Sequence, residues 1–133
     1  MDADAVEQIH KAIRDDGRYP PAAYEFVRDG LAFTVHAVYG DQDDHTPRHV
    51  TGRQLSDGLR RLALQRWGAL AGLVLRRWNI RRTRDFGEIV FVLIQLGVLG
   101  KQESDRIEDF DNVYDFRTAF DQYETRLCDD ENE

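Results

Sequence analysis

The stretch from Thr51 to Gly100, TGRQLSDGLRRLALQRWGALAGLVLRRWNIRRTRDFGEIVFVLIQLGVLG, constrains the fold more than any other part of the chain. It holds the densest apolar periodicity, both tryptophans and most of the arginines. Its first segment opens on Thr51, whose hydroxyl suits a helix N-cap. Leu55, Leu59, Leu62 and Ala63 then recur at helical spacing, with Arg53, Arg60, Arg61 and Arg66 elsewhere around the wheel, until Gly68 interrupts. A second helix is expected over about residues 69–78, with Leu70, Leu73, Val74 and Trp78 on one face and Asn79 as a left-handed cap.

The third helix is expected to start near Thr83 or Asp85. Thr83 can cap, and Asp85 followed three residues later by Glu88 fits a box-like start. Phe86, Ile89, Val90, Leu93 and Ile94 form its stripe, and Gly97 marks its end. Ile89 to Ile94 is six apolar residues in a row, so a buried strand competes. About fourteen residues separate the caps, which suits a helix better.

Outside this core segment, Ala5, Val6, Ile9 and Ile13 outline a short helix over residues 3–14, closed near Gly17. Pro21 suits the first position of a helix over about 21–39 that presents Tyr24, Val27, Leu31, Val35 and Val38, with Phe26 and Phe33 adjacent. Residues 40–47 read as a polar loop. Val98 to Lys101 and Val113 to Phe116 are candidates for a small hairpin. A last helix, about 116–127, carries Phe116, Phe120, Tyr123 and Leu127 behind an Asp115 cap, and residues 129–133 form a frayed acidic tail. Tyr19, Phe110 and Tyr114 lie in connectors, where they would pin those segments down or mark a contact surface. The expected fold is one mainly α domain over residues 1–133: a compact bundle of five to six helices, with one short β-hairpin after the third core helix in a winged-helix-like version.

Bulk properties narrow the function classes. At 133 residues one domain suffices, and it can bury about two thirds of its unfolded-chain surface. No apolar run approaches the roughly 18 residues of a membrane span, and the acidic start, MDADAVEQIH, lacks the apolar stretch of a secretory signal. Cys128 is the only cysteine, so a reducing, cytoplasmic setting is expected. The net charge of −7 is unevenly spread. Between Arg48 and Arg84 ten arginines face one carboxylate, Asp57, whereas from Glu103 onward twelve carboxylates face three arginines.

The sharpest constellation is Arg76, Arg77, Arg81, Arg82, Thr83 and Arg84. The first pair closes a helix, where cations complement the dipole. The others sit at a helix start, where exposed amides already favour anions, so an anionic partner is indicated. In order of preference this partner is the protein's own acidic segments, another protein's acidic surface, or nucleic-acid phosphate. The nucleic-acid version would be a winged helix-turn-helix entering the major groove with the third helix. Against it, the would-be wing carries Glu103, Asp105, Glu108, Asp109 and Asp111 against Arg106, and phosphate would repel these acids.

Other chemistry is poorly supported. His45 and His49, with Asp41, Asp43 and Asp44 before them, have Pro47 between them and lack the glycine and terminal Glu of a calcium loop; no cysteine stands near for zinc. Neither Ser56 nor Ser104 stands beside a histidine or in a nucleophile elbow, and Cys128 lies among acids that raise a thiol's pKa. Asp109 and Asp111 read as a solvated pair, and no glycine loop cradles phosphate. No metal and no cofactor is implied.

The segments RYPPAAYEFVRDGLAFT (18–34), RHVTGRQLSDGLRRLAL (48–64), WNIRRTRDFGEIVFVLIQLGVLGK (78–101) and DRIEDFDNVYDFRTAF (105–120) resemble a family of short, uncharacterised bacterial proteins. Asn79 departs from its pattern, where glycine is usual, which makes the left-handed turn slightly costlier. The resemblance implies a soluble bacterial protein and contributes no activity. The expectation is therefore a non-catalytic interaction module that binds a protein partner or self-associates, with no membrane role; the alternatives are a nucleic-acid-binding winged-helix-like domain and a cryptic enzyme.

Overall fold

The computed structural model describes residues 3–40, 48–100 and 106–121. They form five α-helices: α1 (Ala3–Asp16), α2 (Pro21–Tyr39), α3 (Gly52–Trp67), α4 (Ala71–Arg77) and α5 (Thr83–Gln95). Short 3-10 turns cover Gly68–Leu70 and Ile107–Phe110, and a π-helical turn covers Arg117–Asp121. Among the described residues no helix is long and apolar enough to cross a membrane.

The helix boundaries follow local chemistry. Gly17 ends α1 at φ +70°, and Pro21 opens α2. Thr51 Oγ1 accepts from Gln54 N–H at 3.0 Å while Gln54 Oε1 accepts from Thr51 N–H at 2.9 Å, a complete capping box for α3. Asn79 adopts φ +64°, and the chain reverses there so that Ile80 N–H reaches Leu75 O at 2.9 Å. The Ile89 to Ile94 run is helical, as its length between caps indicated.

Packing is centred on α2, α3 and α5. The face that α2 buries runs through Ala23, Val27, Gly30 and Thr34, so it includes two residues that an apolar count passes over, while Val38, expected inside, is 43% exposed. Gly30 faces Leu59, and Gly58 faces Thr34. Thr34 Oγ1 also donates to Gly30 O at 2.7 Å. Phe26, Trp67 and Trp78 form an aromatic trio with ring centroids 5.1, 5.8 and 5.3 Å apart.

Residues 106–121 lie as a strap across α3 and α5. Phe110 is buried against Gly87 of α5, where a side-chain carbon would come within 2.8 Å of its ring. Phe86, Tyr114, Phe116 and Phe120 pack ring against ring. Tyr114 donates its hydroxyl to Ser56 O at 2.7 Å, and Tyr19 donates to Asp85 Oδ1 at 2.7 Å. The connector aromatics are therefore pins.

The expected hairpin does not form among the described residues, which contain no strand. Val98 N–H closes the end of α5 on Leu93 O, and Val113 N–H goes to Thr83 Oγ1, so neither donor is left for a ladder. Lys101 lies outside the described residues. The expected last helix is described only through Asp121: Asp115 caps it, accepting from Arg117 N–H at 2.7 Å, and the turn is π-helical. Tyr123, Leu127, Cys128 and the 129–133 tail lie outside the described residues.

Candidate functional site: the α4–α5 corner

Of the six residues singled out by sequence, two fasten the fold internally, three are exposed, and Arg76 stands between. Thr83 is the first residue of α5 and is 1% exposed. Its hydroxyl donates to Phe110 O and accepts from Val113 N–H at 3.1 Å, so both of its hydrogen-bonding capacities go to the strap. Thr83 is not the N-cap; Arg82 occupies that position in an extended conformation. Arg84, half-buried, reaches the same strap. Its Nη1 donates to Asp111 Oδ1 at 2.9 Å and Oδ2 at 3.0 Å, and its Nε lies 3.5 Å from Glu88 Oε1. The hydrogen bond to Asp111 holds the Arg84 guanidinium above the ordinary arginine range. These two residues fasten the fold to its own acidic segment.

Arg77, Arg81 and Arg82 are exposed. Arg77 ends α4, and Arg81 and Arg82 lie in the turn before α5. Arg81 Nε lies 3.4 Å from the neutral Asn79 Oδ1, and no carboxylate pairs with any of the three guanidiniums among the described residues. Arg76 is half-buried in the last turn of α4, beside Arg77, and is engaged with a partner.

Asp85 occupies the anion position at the start of α5. Its Oδ2 accepts from Arg81 N–H at 2.8 Å and Arg82 N–H at 3.2 Å, and its Oδ1 accepts from Tyr19. A carboxylate of the chain itself, in the first turn of α5, thus takes the amides of the two residues that lead into the helix. Burial, and then the hydrogen bond to Asp85, pushes the Tyr19 phenol above its ordinary range. Arg18 braces the same end, donating to Asp16 at 3.1 Å and Glu88 at 3.1 Å, and Asn79 Nδ2 donates to Arg18 O at 3.2 Å.

The structure corrects the expected buried face of α4. Leu70 is 50% and Leu73 40% exposed, while Ala71, Gly72 and Leu75 are buried instead. Gly68, at φ +52°, and the 3-10 turn after it reset the phase of the chain before α4 starts. Ala71 and Leu75, four apart, then point inward, and Leu70, Leu73 and Arg77 line the outer side at i, i+3 and i+7. That outward stripe escaped sequence reasoning because a seven-residue helix carries apolar residues on both sides.

Among the described residues no three His, Cys, Asp or Glu side chains stand together as a metal site; His45 lies outside them. Ser56 is fully buried, and its hydroxyl has no hydrogen-bond partner among the described residues. Compared with models of protein families, with curated proteins and with solved structures, the chain matches none. Function therefore rests on the residues themselves.

Proposed function

We propose that this chain is a non-catalytic protein–protein interaction module, whose α4 face takes an acidic, partly apolar segment of a partner. The observation that carries this is the exposed pair Leu70, at the N-cap of α4, and Leu73, on α4, 50% and 40% accessible, with Arg77 at the end of the same helix. Two exposed leucines offer apolar area, and Arg77, with Arg81 and Arg82 just beyond in the chain, supplies positive charge that no carboxylate among the described residues pairs with. An acidic segment with one or two apolar side chains complements both features.

The test is a comparison of proteins retained from a native extract on the wild-type chain and on the Leu73→Asp/Arg77→Glu variant, identified by mass spectrometry. Both positions are exposed, so the variant keeps the wild-type far-UV circular dichroism. Loss of an acidic binding protein with the variant supports the assignment. An identical set on both surfaces overturns it.

The second reading is a nucleic-acid-binding, winged-helix-like domain. In its favour stand the order α3–α4–α5 and the exposed Arg81 and Arg82 at the start of α5. Asp85 on the amides at that helix start weighs against it, as does the burial of Phe86, Ile89, Val90 and Leu93 along α5. Salt-sensitive binding to duplex DNA that Arg81→Ala with Arg82→Ala abolishes would favour this second reading.

A further inference from the structure

We infer that the cavity between α2, α3, α5 and the Ile107–Phe110 turn binds a small amphipathic carboxylate, an aromatic or short-chain acid. The cavity has a volume of about 170 Å³. An apolar cavity of roughly 150 Å³ accommodates a benzene ring, so this one suits a phenyl group or a short alkyl chain. Its apolar lining comes from Leu31 of α2, Leu55 of α3, Val90 and Ile94 of α5, and Val50 and Leu99 from the flanking segments. None of these can hold a charged head group.

The polar lining can. Arg48 and Arg106 both border the cavity, and neither guanidinium makes an ion pair or hydrogen bond among the described residues. By contrast, Arg18, Arg60, Arg66 and Arg84 each have a carboxylate at 2.9 to 3.1 Å. Asp109, the one carboxylate among the described lining residues, is already engaged, with its Oδ2 accepting from Arg106 N–H at 3.2 Å. Among the described lining residues, His49 aside, two arginines and one aspartate leave one net positive charge. A single carboxylate balances it, and an apolar body fills the space behind. A guanidinium also matches a carboxylate in two-point geometry. No α4 residue lines this cavity, so the site stands apart from the proposed partner surface.

Titration of the full chain with phenylacetate and hexanoate, followed by calorimetry and by the methyl NMR signals of Val90, Ile94 and Leu99, tests the assignment. Phenylethanol and phenethylamine serve as neutral and cationic controls, and phenyl phosphate as the dianionic one. The acids are expected to bind and shift those methyl signals, about tenfold more tightly than the alcohol and more tightly still than the amine. Arg48→Gln with Arg106→Gln removes that tenfold preference and leaves alcohol binding unchanged. Leu99→Trp, at the half-exposed edge of the cavity, blocks acid and alcohol alike. The inference fails if neither acid binds at millimolar concentration or if alcohol or amine binds as well as the acids. It also fails if the double variant keeps the wild-type acid preference. Tighter binding of phenyl phosphate overturns the carboxylate assignment.

Discussion

Along the α2–α3 seam two helices approach so closely that side chains are absent where they cross. A Cβ on Gly58 would lie 1.8 Å from Thr34 Oγ1, and one on Gly30 would lie 2.1 Å from Leu59 Cδ2, with Leu59 itself fully buried. The 106–121 strap also rests on a glycine, Gly87, and buries Phe110 and Phe120, but it adds polar, pointwise ties: the Thr83 hydroxyl, the Tyr114 hydroxyl and the Arg84–Asp111 pair. The seam is thus a matter of volume, spread over a surface, whereas the strap joins packed rings to a few directed bonds. A close-packed surface resists added atoms everywhere along it, whereas a tethered segment depends on single groups whose loss leaves partners buried and unpaired.

The largest effect should come from overfilling the seam. Gly58→Leu is expected to destabilise the whole domain by about 3 kcal/mol or more, read as one cooperative shift of the urea midpoint. A variant as stable as wild type would mean the two helices can separate freely, and the contrast would collapse. Thr83→Val keeps the volume but strips both bonds to the strap, leaving Phe110 C=O and Val113 N–H without that partner. It should cost about 2 kcal/mol, with amide exchange rising first at residues 110–114 and later, if at all, along α2 and α3. Simultaneous loss of protection in both regions would show that the strap and seam are one unit.

Alkaline pH sharpens the same contrast. Burial pushes the Tyr114 phenol above its ordinary value of 10.0; Tyr19 is raised likewise, and Tyr24, again chiefly by burial, is pushed up to about 12. Below pH 10 folded and unfolded chains both hold these protons. Above it the unfolded chain ionises first, so stability falls as pH rises, by at most about 1.4 kcal/mol per pH unit for each phenol. Tyr114→Phe removes the strap's share of that fall, measurable as a shallower decline between pH 10 and 11.5 in urea titrations. An unchanged slope would mean that Tyr114 ionises as readily folded as unfolded. The smallest effect is expected at Ser56, whose buried hydroxyl has no partner among the described residues. Ser56→Ala should change stability by less than about 0.5 kcal/mol, or raise it slightly, and a clear loss by calorimetry would reveal a bond made by that hydroxyl.

The elements visible in the sequence were those written in local chemistry. Thr51 caps α3, Pro21 opens α2, and Asn79 turns the chain at positive φ, each through its own backbone or side-chain geometry. The arginine cluster was visible too, but its division was not. Thr83 and Arg84 are adjacent in sequence to Arg82, yet they serve the strap 27 to 30 residues away. Leu70 and Leu73 have the same hydrophobicity as Leu75, and only neighbours decide which of them faces inward. Arg48 and Arg106, which border one cavity, were invisible as a pair because they are far apart in the chain and share no motif.

The amino-acid sequence by itself determined where helices begin and end, because caps, glycines and prolines act within a few residues. It determined as well that positive charge gathers in the middle of the chain and negative charge toward its end. Tertiary structure alone decided which arginines are neutralised, which leucines meet solvent and where a cavity remains. Those outcomes depend on distances between segments remote in the chain, and pairing, burial and void volume come into being only when such segments meet.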